Sequence, residues 1–311
     1  MLGRKRTIVA VFLLLFLHLY LPPPSASAQG GIKVWPARVE LTIGRDETVA
    51  QVVSVENQSD AAIRMRVYVM DFRIGKESEF AFLEPGEESY SCSRWLSIGE
   101  TDFELASGEN KAVAVTISVP QDVEPGGHYA ALLFETVQPQ PDQGFSVTIS
   151  SRIASLFYLT IPGVTEADVV AKAEIVSLSF PGWAVGGPVK IAVLVRNTGN
   201  VHLDIATKAY LYGLWGRKVG ELDLGQTVIL PGSERIVEGN WEKTPFLDRV
   251  KANIMIGYFD EHGELVNQSK TKTLWVTPSG EVVAAIVVPL ALLPFLIWLL
   301  IRRYRLRIER K

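Results

Sequence analysis

The chain has 311 residues and a net charge of −3, very unevenly placed: residues 1–28 carry +3 and residues 302–311 carry +5, so residues 29–281 carry −11. An acidic middle of that size argues against nucleic acid as the main partner and gives no general attraction to anionic lipid or anionic wall polymers. Cys92 is the single cysteine, which excludes an intramolecular disulfide. A secreted eukaryotic protein with small domains would ordinarily carry several, so a bacterial surface fits better, with an archaeal one as the alternative.

The chain opens with Arg4, Lys5 and Arg6, continues through the apolar run from Ile8 to Leu21, and reaches the small residues Ala26-Ser27-Ala28. That order is the pattern of a secretory signal peptide over 1–28, cleaved after Ala28, with an uncleaved anchor as the alternative. No cysteine stands beside the small residues, which argues against a lipoprotein.

From there to residue 277 the sequence reads as strands. The stretches 67–72, 111–119, 128–137, 189–195 and 253–259 are short β-branched or aromatic runs bounded by Gly, Pro, Asn and Asp, and no segment between signal and carboxyl-terminal run sustains a helical apolar period. Many short strands with turns at this spacing imply sandwiches. A weak internal repeat sets their number. "VENQSDAAIRMRV" (55–67) and "VRNTGNVHLDIAT" (195–207) share Val-x-Asn, a polar turn and an alternating apolar pair. "LASGENKAV" (105–113) and "LPGSERIV" (230–237) share a Gly-centred turn before a strand. We therefore expect an all-β fold, two immunoglobulin-like β-sandwich domains in series at 31–162 and 166–277, with Ile161-Pro162-Gly163 opening the joint. "DVEPGGHYAALLF" (122–134) resembles the tyrosine-corner region of immunoglobulin-like folds, where the Tyr129 hydroxyl would be tied to nearby backbone; an ordinary strand tyrosine is the other reading.

The long segment 145–161 would span roughly 50 Å or more as a straight strand at ~3.4 Å per residue, against about 5–6 residues for a typical strand. A bend or bulge is expected near Ser151–Ser155, with the segment contributing to a sheet edge. Phe145, Val147, Ile149 and Ile153 form one row, and Ser146, Thr148, Ser150 and Arg152 the other. With the first row facing the core, the row left over is polar.

Residues 282–301 are twenty in succession without a charge, enough at ~1.5 Å of rise each to cross the ~30 Å hydrocarbon core of a bilayer. Pro289 and Pro294 are tolerated in such helices, and Trp298 suits an interface. The tail 302–311 has six Lys/Arg against one Glu, which places it in the cytoplasm and the bulk of the chain outside. The preceding "LWVTPSGE" does not match a sortase signal, so the helix is expected to remain as a single-pass membrane anchor.

Chemistry is hard to find. No G-x-S-x-G, H-E-x-x-H, Walker loop or paired-cysteine metal site is present. His128, His202 and His262 lie far apart in sequence. "FDEHGEL" (259–265) gathers acids that could suggest calcium, but between two apolar runs it reads as a hairpin turn with Gly263 at positive φ. No enzyme activity, metal or cofactor is expected, and Cys92 reads as a bystander. The partner-binding candidates are Gln138 and Gln140 in the loop "VQPQPDQG", and Trp183 and Trp241 beside turns, where an indole could stack on a sugar. A plain solvated hairpin and core tryptophans are the alternatives.

Domain 1 resembles the amino-terminal domain of periplasmic pilus-assembly chaperones in "PARVEL" (36–41), "VENQSDAAIRMRV", the F-x-L-x-x-G of Phe103, Leu105 and Gly108, and "RIASLFYLTIPG" (152–163). In those chaperones an early arginine and a lysine before Leu-Phe-Tyr anchor a client's terminal carboxylate. Arg38 matches the arginine, while Ser155 stands where the lysine should be. Soluble chaperones also lack an anchor, and their donor strand presents apolar residues to the client, so the polar row disfavours that assignment. The whole layout, including "PGGHYAALLFE" and "VILPGSERIVEGNWEKTPF" (228–246), is similar to the WxL-interacting surface proteins of Gram-positive bacteria. That resemblance implies a signal, a chaperone-like domain associated with peptidoglycan binding, a second immunoglobulin-like domain, one transmembrane helix and a basic tail.

The expected function is therefore a membrane-anchored cell-surface binding or scaffold protein. Its partner would be a cell wall polymer or a secreted surface protein. An assembly chaperone or secretion accessory using strand addition is the alternative. The topology has a direct consequence: protease added to wall-less cells should remove the ectodomain and leave a tag placed after Lys311 protected, and a digested tag would refute the arrangement.

Overall fold

The computed structural model describes residues 31–137 and 150–308. Among them, ten strands build a first unit: β1 (Ile32–Trp35), β2 (Arg38–Thr42), β3 (Thr48–Asn57), β4 (Ile63–Ile74), β5 (Phe80–Leu83), β6 (Leu96–Ile98), β7 (Asp102–Leu105), β8 (Asn110–Ser118), β9 (Gly126–Val137) and β10 (Arg152–Ile161). Eight build a second: β11 (Ala173–Ser179), β12 (Trp183–Val185), β13 (Val189–Asn197), β14 (Leu203–Tyr212), β15 (Lys218–Ile229), β16 (Glu234–Trp241), β17 (Asp248–Phe259) and β18 (Leu265–Thr277). One helix, α1 (Gly280–Ile308), follows.

Each unit is a sandwich of two sheets. In the first, the order β1-β3-β8-β6 faces β2-β10-β9-β4-β5, with β7 also paired to β4; in the second, β11-β13-β16 faces β12-β18-β17-β14-β15. The period-two alternation that makes a half-buried strand is plain in β8, where Val113, Val115 and Ile117 turn inward, and in β13, where Val189, Ile191, Val193 and Val195 do the same. The inward rows form two separate cores, one per unit.

The two sequence repeats turn out to be halves of one device. Asn57 and Asn197, both fully buried, end β3 and β13. The Asn57 side-chain amide donates to the carbonyls of Ala61, Leu105 and Ala106 at 2.8, 3.1 and 3.0 Å, while its oxygen accepts from Ser59 N at 2.9 Å. The Asn197 amide donates to the carbonyls of Val201 and Ile229 at 2.7 and 2.8 Å, and its oxygen accepts from Gly199 N at 2.9 Å. The Gly-centred turns close on the same asparagines. Gly108 N and Gly232 N donate to the Asn57 and Asn197 carbonyls, and the amides of Asn57 and Asn197 donate to the carbonyls of Glu109 and Ser233. Both glycines need positive φ, at 72° and 69°. Each asparagine thus ties together two connections that cross between the sheets, β3–β4 to β7–β8 and β13–β14 to β15–β16, and satisfies backbone that would otherwise be buried unpaired.

β9 breaks the alternation. Residues 126–134 are buried in an unbroken run, because both faces of this strand are covered: one by its own core, the other by the second unit. β10 runs from Arg152 to Ile161 in continuous antiparallel register with β9, and its other side pairs in parallel with β2 from Leu156 onward. No bulge interrupts it at 152–155, contrary to expectation, because each of these residues has its own partner on β9, from Glu135 to Leu132, and Thr136 N donates to Ser151 O at 3.0 Å just before them. The outward row of β10 is not polar throughout either: past Arg152 it continues as Ala154, Leu156 and Tyr158, which pack into an apolar cluster with the second unit. Phe145, Ser146, Val147, Thr148 and Ile149 lie outside the described residues.

Cys92 belongs to the first core and is fully buried. Burial, with the Asp71 carboxylate as a smaller contribution, pushes its thiol well above the ordinary range. A disulfide-linked dimer through Cys92 is therefore incompatible with the folded domain. The "FDEHGEL" segment is the β17–β18 hairpin turn, with Gly263 at φ 75° and Asp260 Oδ1 accepting from His262 N and Glu264 N. Among the described residues nothing buries α1; residues 280–303 are long and apolar enough to cross a membrane.

The asparagine clip is open to test. Asn197→Ala removes the donor to the Val201 and Ile229 carbonyls and the acceptor for Gly199 N and should cost about 2–4 kcal/mol of stability, whereas the neighbouring Thr198→Ala, whose hydroxyl is exposed, should cost little. Denaturant titration of the two variants reads the difference; equal midpoints would show that the clip is not structural.

Candidate functional site: the cleft between the two sandwiches

The outer face of the first unit's larger sheet presents Phe72, Ile74, Tyr129, Ala131 and Tyr158, and Leu230 of the second unit packs on them. The aromatic rings are arranged edge to face: Tyr129 and Tyr158 lie 5.3 Å apart, and His202 lies 4.7 Å from Tyr158 and 5.8 Å from Tyr129. Tyr129 does not form a tyrosine corner. Its hydroxyl is buried at this joint with no hydrogen-bond partner among the described residues.

Close approach of the two backbones decides the residues around this cluster. Gly127 N donates to Asn200 O at 2.7 Å. A Cβ on Gly126 would meet Asn200 O at 2.8 Å, and one on Gly127 would strike the Tyr129 hydroxyl. That is why two glycines open β9. On the other flank the β4–β5 turn caps the edge strand β16: Ile236 N donates to Lys76 O at 2.8 Å, and the buried Arg235 guanidinium donates to the carbonyls of Ile74 and Gly75.

Arg38 spans the cleft mouth. Its guanidinium donates to both carboxylate oxygens of Asp204 at 3.0 Å each, its Nε lies 2.5 Å from Glu40 Oε1, and it stacks 4.4 Å over the Tyr158 ring. Burial pushes the Tyr158 hydroxyl up to about 12, with Arg38 pulling the other way. Burial first, and then the Arg38 charge, lower the His202 imidazole to about 4, against a smaller opposing pull from Asp204. Glu40, His202 and Asp204 offer ligand atoms within 4.8 Å of one another, but the Arg38 guanidinium already supplies the positive charge there. Arg38 also closes one end of an open groove of about 700 Å³ on the outer face of the second unit. Ala206 and Gly257 pair in register in its lining, and Phe259 and Leu265 form an exposed apolar pair.

The other expected site residues are scattered. Trp241 is 3 % exposed in the second core, so its indole has no face for a sugar. Trp183 is 59 % exposed, at the end of the second unit far from the cleft. Gln138 and Gln140 lie outside the described residues. Sequence reasoning took Arg38 alone and missed its partners. The readable signal was Arg38/Glu40, two apart on β2 and so on one face, and the same spacing in His202/Asp204 where the chain enters β14. What joins the two faces is tertiary.

No family model and no curated protein matches the chain. Solved structures do. The chain is similar in structure to pilus chaperones. The YadV chaperone is 10 % identical, covering 78 % of this chain and 99 % of its own, with a TM-score of 0.40. The E. coli chaperone DraB is 11 % identical over 79 % and 97 %, at 0.36. A chain of the Salmonella enterica SafA pilin–SafB chaperone complex is 11 % identical over 80 % and 99 %, at 0.38. Likenesses of this size carry no argument about activity.

Arg38, assigned to carboxylate anchoring by the resemblance, thus already holds a carboxylate of its own chain, and Ser155 donates to Pro36 O at 2.7 Å from a buried position.

His202 gives the cleft a pH dependence. The unfolded chain protonates it near the ordinary 6.5 and the folded one only near 4, so its stabilising contribution is complete above pH 6.5 and is lost as the pH falls toward 4. Wild type should lose about 1–3 kcal/mol more than His202→Gln between pH 7 and pH 4; identical melting profiles for the two would refute this.

Proposed function

We propose that the protein is a membrane-anchored extracytoplasmic binding protein that holds an extended segment of a secreted surface protein by strand addition to β10. The observation that carries this reading is the outer side of β10 from Arg152 to Ala154. β2 pairs with β10 only from Leu156, and among the described residues nothing pairs with that side before it. Leu156 N donates outward to Ala37 O; by the two-residue alternation of a strand, the amide of Ala154 points the same way. An added strand would continue the line that β2 begins, with main-chain hydrogen bonds supplying affinity.

Arg38 is committed to Asp204 and Glu40, so capture in this reading depends on backbone pairing rather than on a terminal carboxylate. The apolar, unpacked α1 supports an anchored protein, with the ectodomain outside the membrane as the charge of the tail implies. This layout is the one resembled by the WxL-interacting surface proteins. A protein partner is favoured over a wall glycan because Trp241 is buried and Trp183 is remote from the cleft.

Ala154→Pro tests the reading. Proline there removes only the outward donor and is tolerated on an unpaired strand edge. The full-length variant should keep its melting temperature and lose capture of the secreted partner, measured by crosslinking on intact cells. Unchanged protein capture, or binding to insoluble wall that persists with no protein captured, would overturn it.

A further inference from the structure

The end of the second unit opposite the cleft is unusual. The pairing registers bring four connections together there: the ends of β12 and β18, the β14–β15 turn, and the segment entering β17. Among the described residues, thirteen large apolar side chains stand exposed outside α1, and seven of them lie at this end. They include Leu214 and Trp215 in the β14–β15 turn, Phe246 and Leu247 before β17, and Trp183 and Trp275, which are register partners on β12 and β18. Trp215 is 91 % exposed, on a turn whose backbone is tied down by Leu214 N donating to Asp248 Oδ1 at 3.0 Å. A fixed turn that presents a bare indole is built to meet something.

We propose that this end is a membrane-docking surface, seated in the interfacial layer of the same bilayer that α1 crosses. The inference rests on the reading of α1 as a membrane anchor. Three observations choose lipid over a protein partner. Only Pro278 and Ser279 separate β18 from α1, so the gap is at most about 11 Å and this end cannot move far from the membrane. Three of the seven apolar residues are tryptophans, whose ring suits the headgroup boundary. The segments that carry them hold more basic than acidic residues, Arg217, Lys218, Lys243 and Arg249 against Glu242 and Asp248, with Arg249 5.8 Å from the Trp275 ring, in an ectodomain that is acidic as a whole. Together with α1 the surface makes a second, independent contact with the bilayer, which would set the tilt of the ectodomain and hold the β10 edge at a fixed height.

The test uses the full-length protein in phosphatidylcholine–phosphatidylglycerol vesicles, with spin labels on introduced cysteines read by collision with oxygen and with a water-soluble nickel chelate. The buried Cys92 leaves the native chain unlabelled. Labels on Trp215→Cys and, with Trp215 retained, on Leu247→Cys should show an oxygen-to-nickel ratio about threefold or more above that of Glu261→Cys, which sits in the β17–β18 turn at the opposite end. Leu293→Cys reports on α1. If Leu293→Cys reads lipid while both 215 and 247 read as aqueous as 261, the docking surface is refuted and the anchor stands. If Leu293→Cys reads aqueous, the anchor reading fails and the docking surface falls with it.

Discussion

One constraint organises the molecule: the larger sheet of the first sandwich is apolar on both faces. Ala130, Leu132 and Phe134 point into its own core, while Tyr129, Ala131, Leu156 and Tyr158 point away from it. Left bare, that outer face would keep several large side chains in water, each forgoing about 1.5–3 kcal/mol. The second sandwich covers it. The two units are therefore coupled by a hydrophobic contact, framed by backbone hydrogen bonds at Gly127 and Lys76, rather than being beads on a linker.

That contact dictates the electrostatics around it. Once the sheets meet, Arg38 and Asp204 face one another at the rim of an apolar cluster, and the paired guanidinium and carboxylate satisfy each other in a geometry that neither domain could supply alone. His202 is brought in as a neutral ring against two tyrosines. Its low proton affinity follows from the same burial. The cleft is thus a structural lock, and the proposed binding edge lies beside it on β10, where β2 stops.

The second sandwich has two ends with different characters. One carries Asn200, Leu230 and Asp204 to the joint. The other gathers the exposed indoles of Trp183, Trp215 and Trp275, the last of them on the strand that leads into α1. In the proposed arrangement the first domain stands away from the bilayer with its strand edge accessible, and the second acts as the pedestal. The chain's acidic charge and the basic residues near α1 are then not in conflict, because they belong to different parts of the surface.

Local pattern was enough for much of this. Period-two alternation in β8 and β13 specifies half-buried strands, the Val-x-Asn and Gly-turn repeats specify two similar units, and the uncharged run 282–301 specifies a helix of membrane-crossing length. These features depend on neighbours in sequence, so the sequence by itself determined them. It could not say that Asn57 and Gly108, or Asn197 and Gly232, would close on one another, since that depends on which strands become adjacent. Nor could it say that β9 would be covered on both sides, that the row Ala154, Leu156 and Tyr158 would pack against the second unit, that Trp241 would enter the core, or that Trp215 would stay in water at the same end as Trp183 and Trp275. Burial is a property of what arrives from elsewhere in the chain, and only the packing of one sandwich on the other, and of each sheet on its mate, decided it.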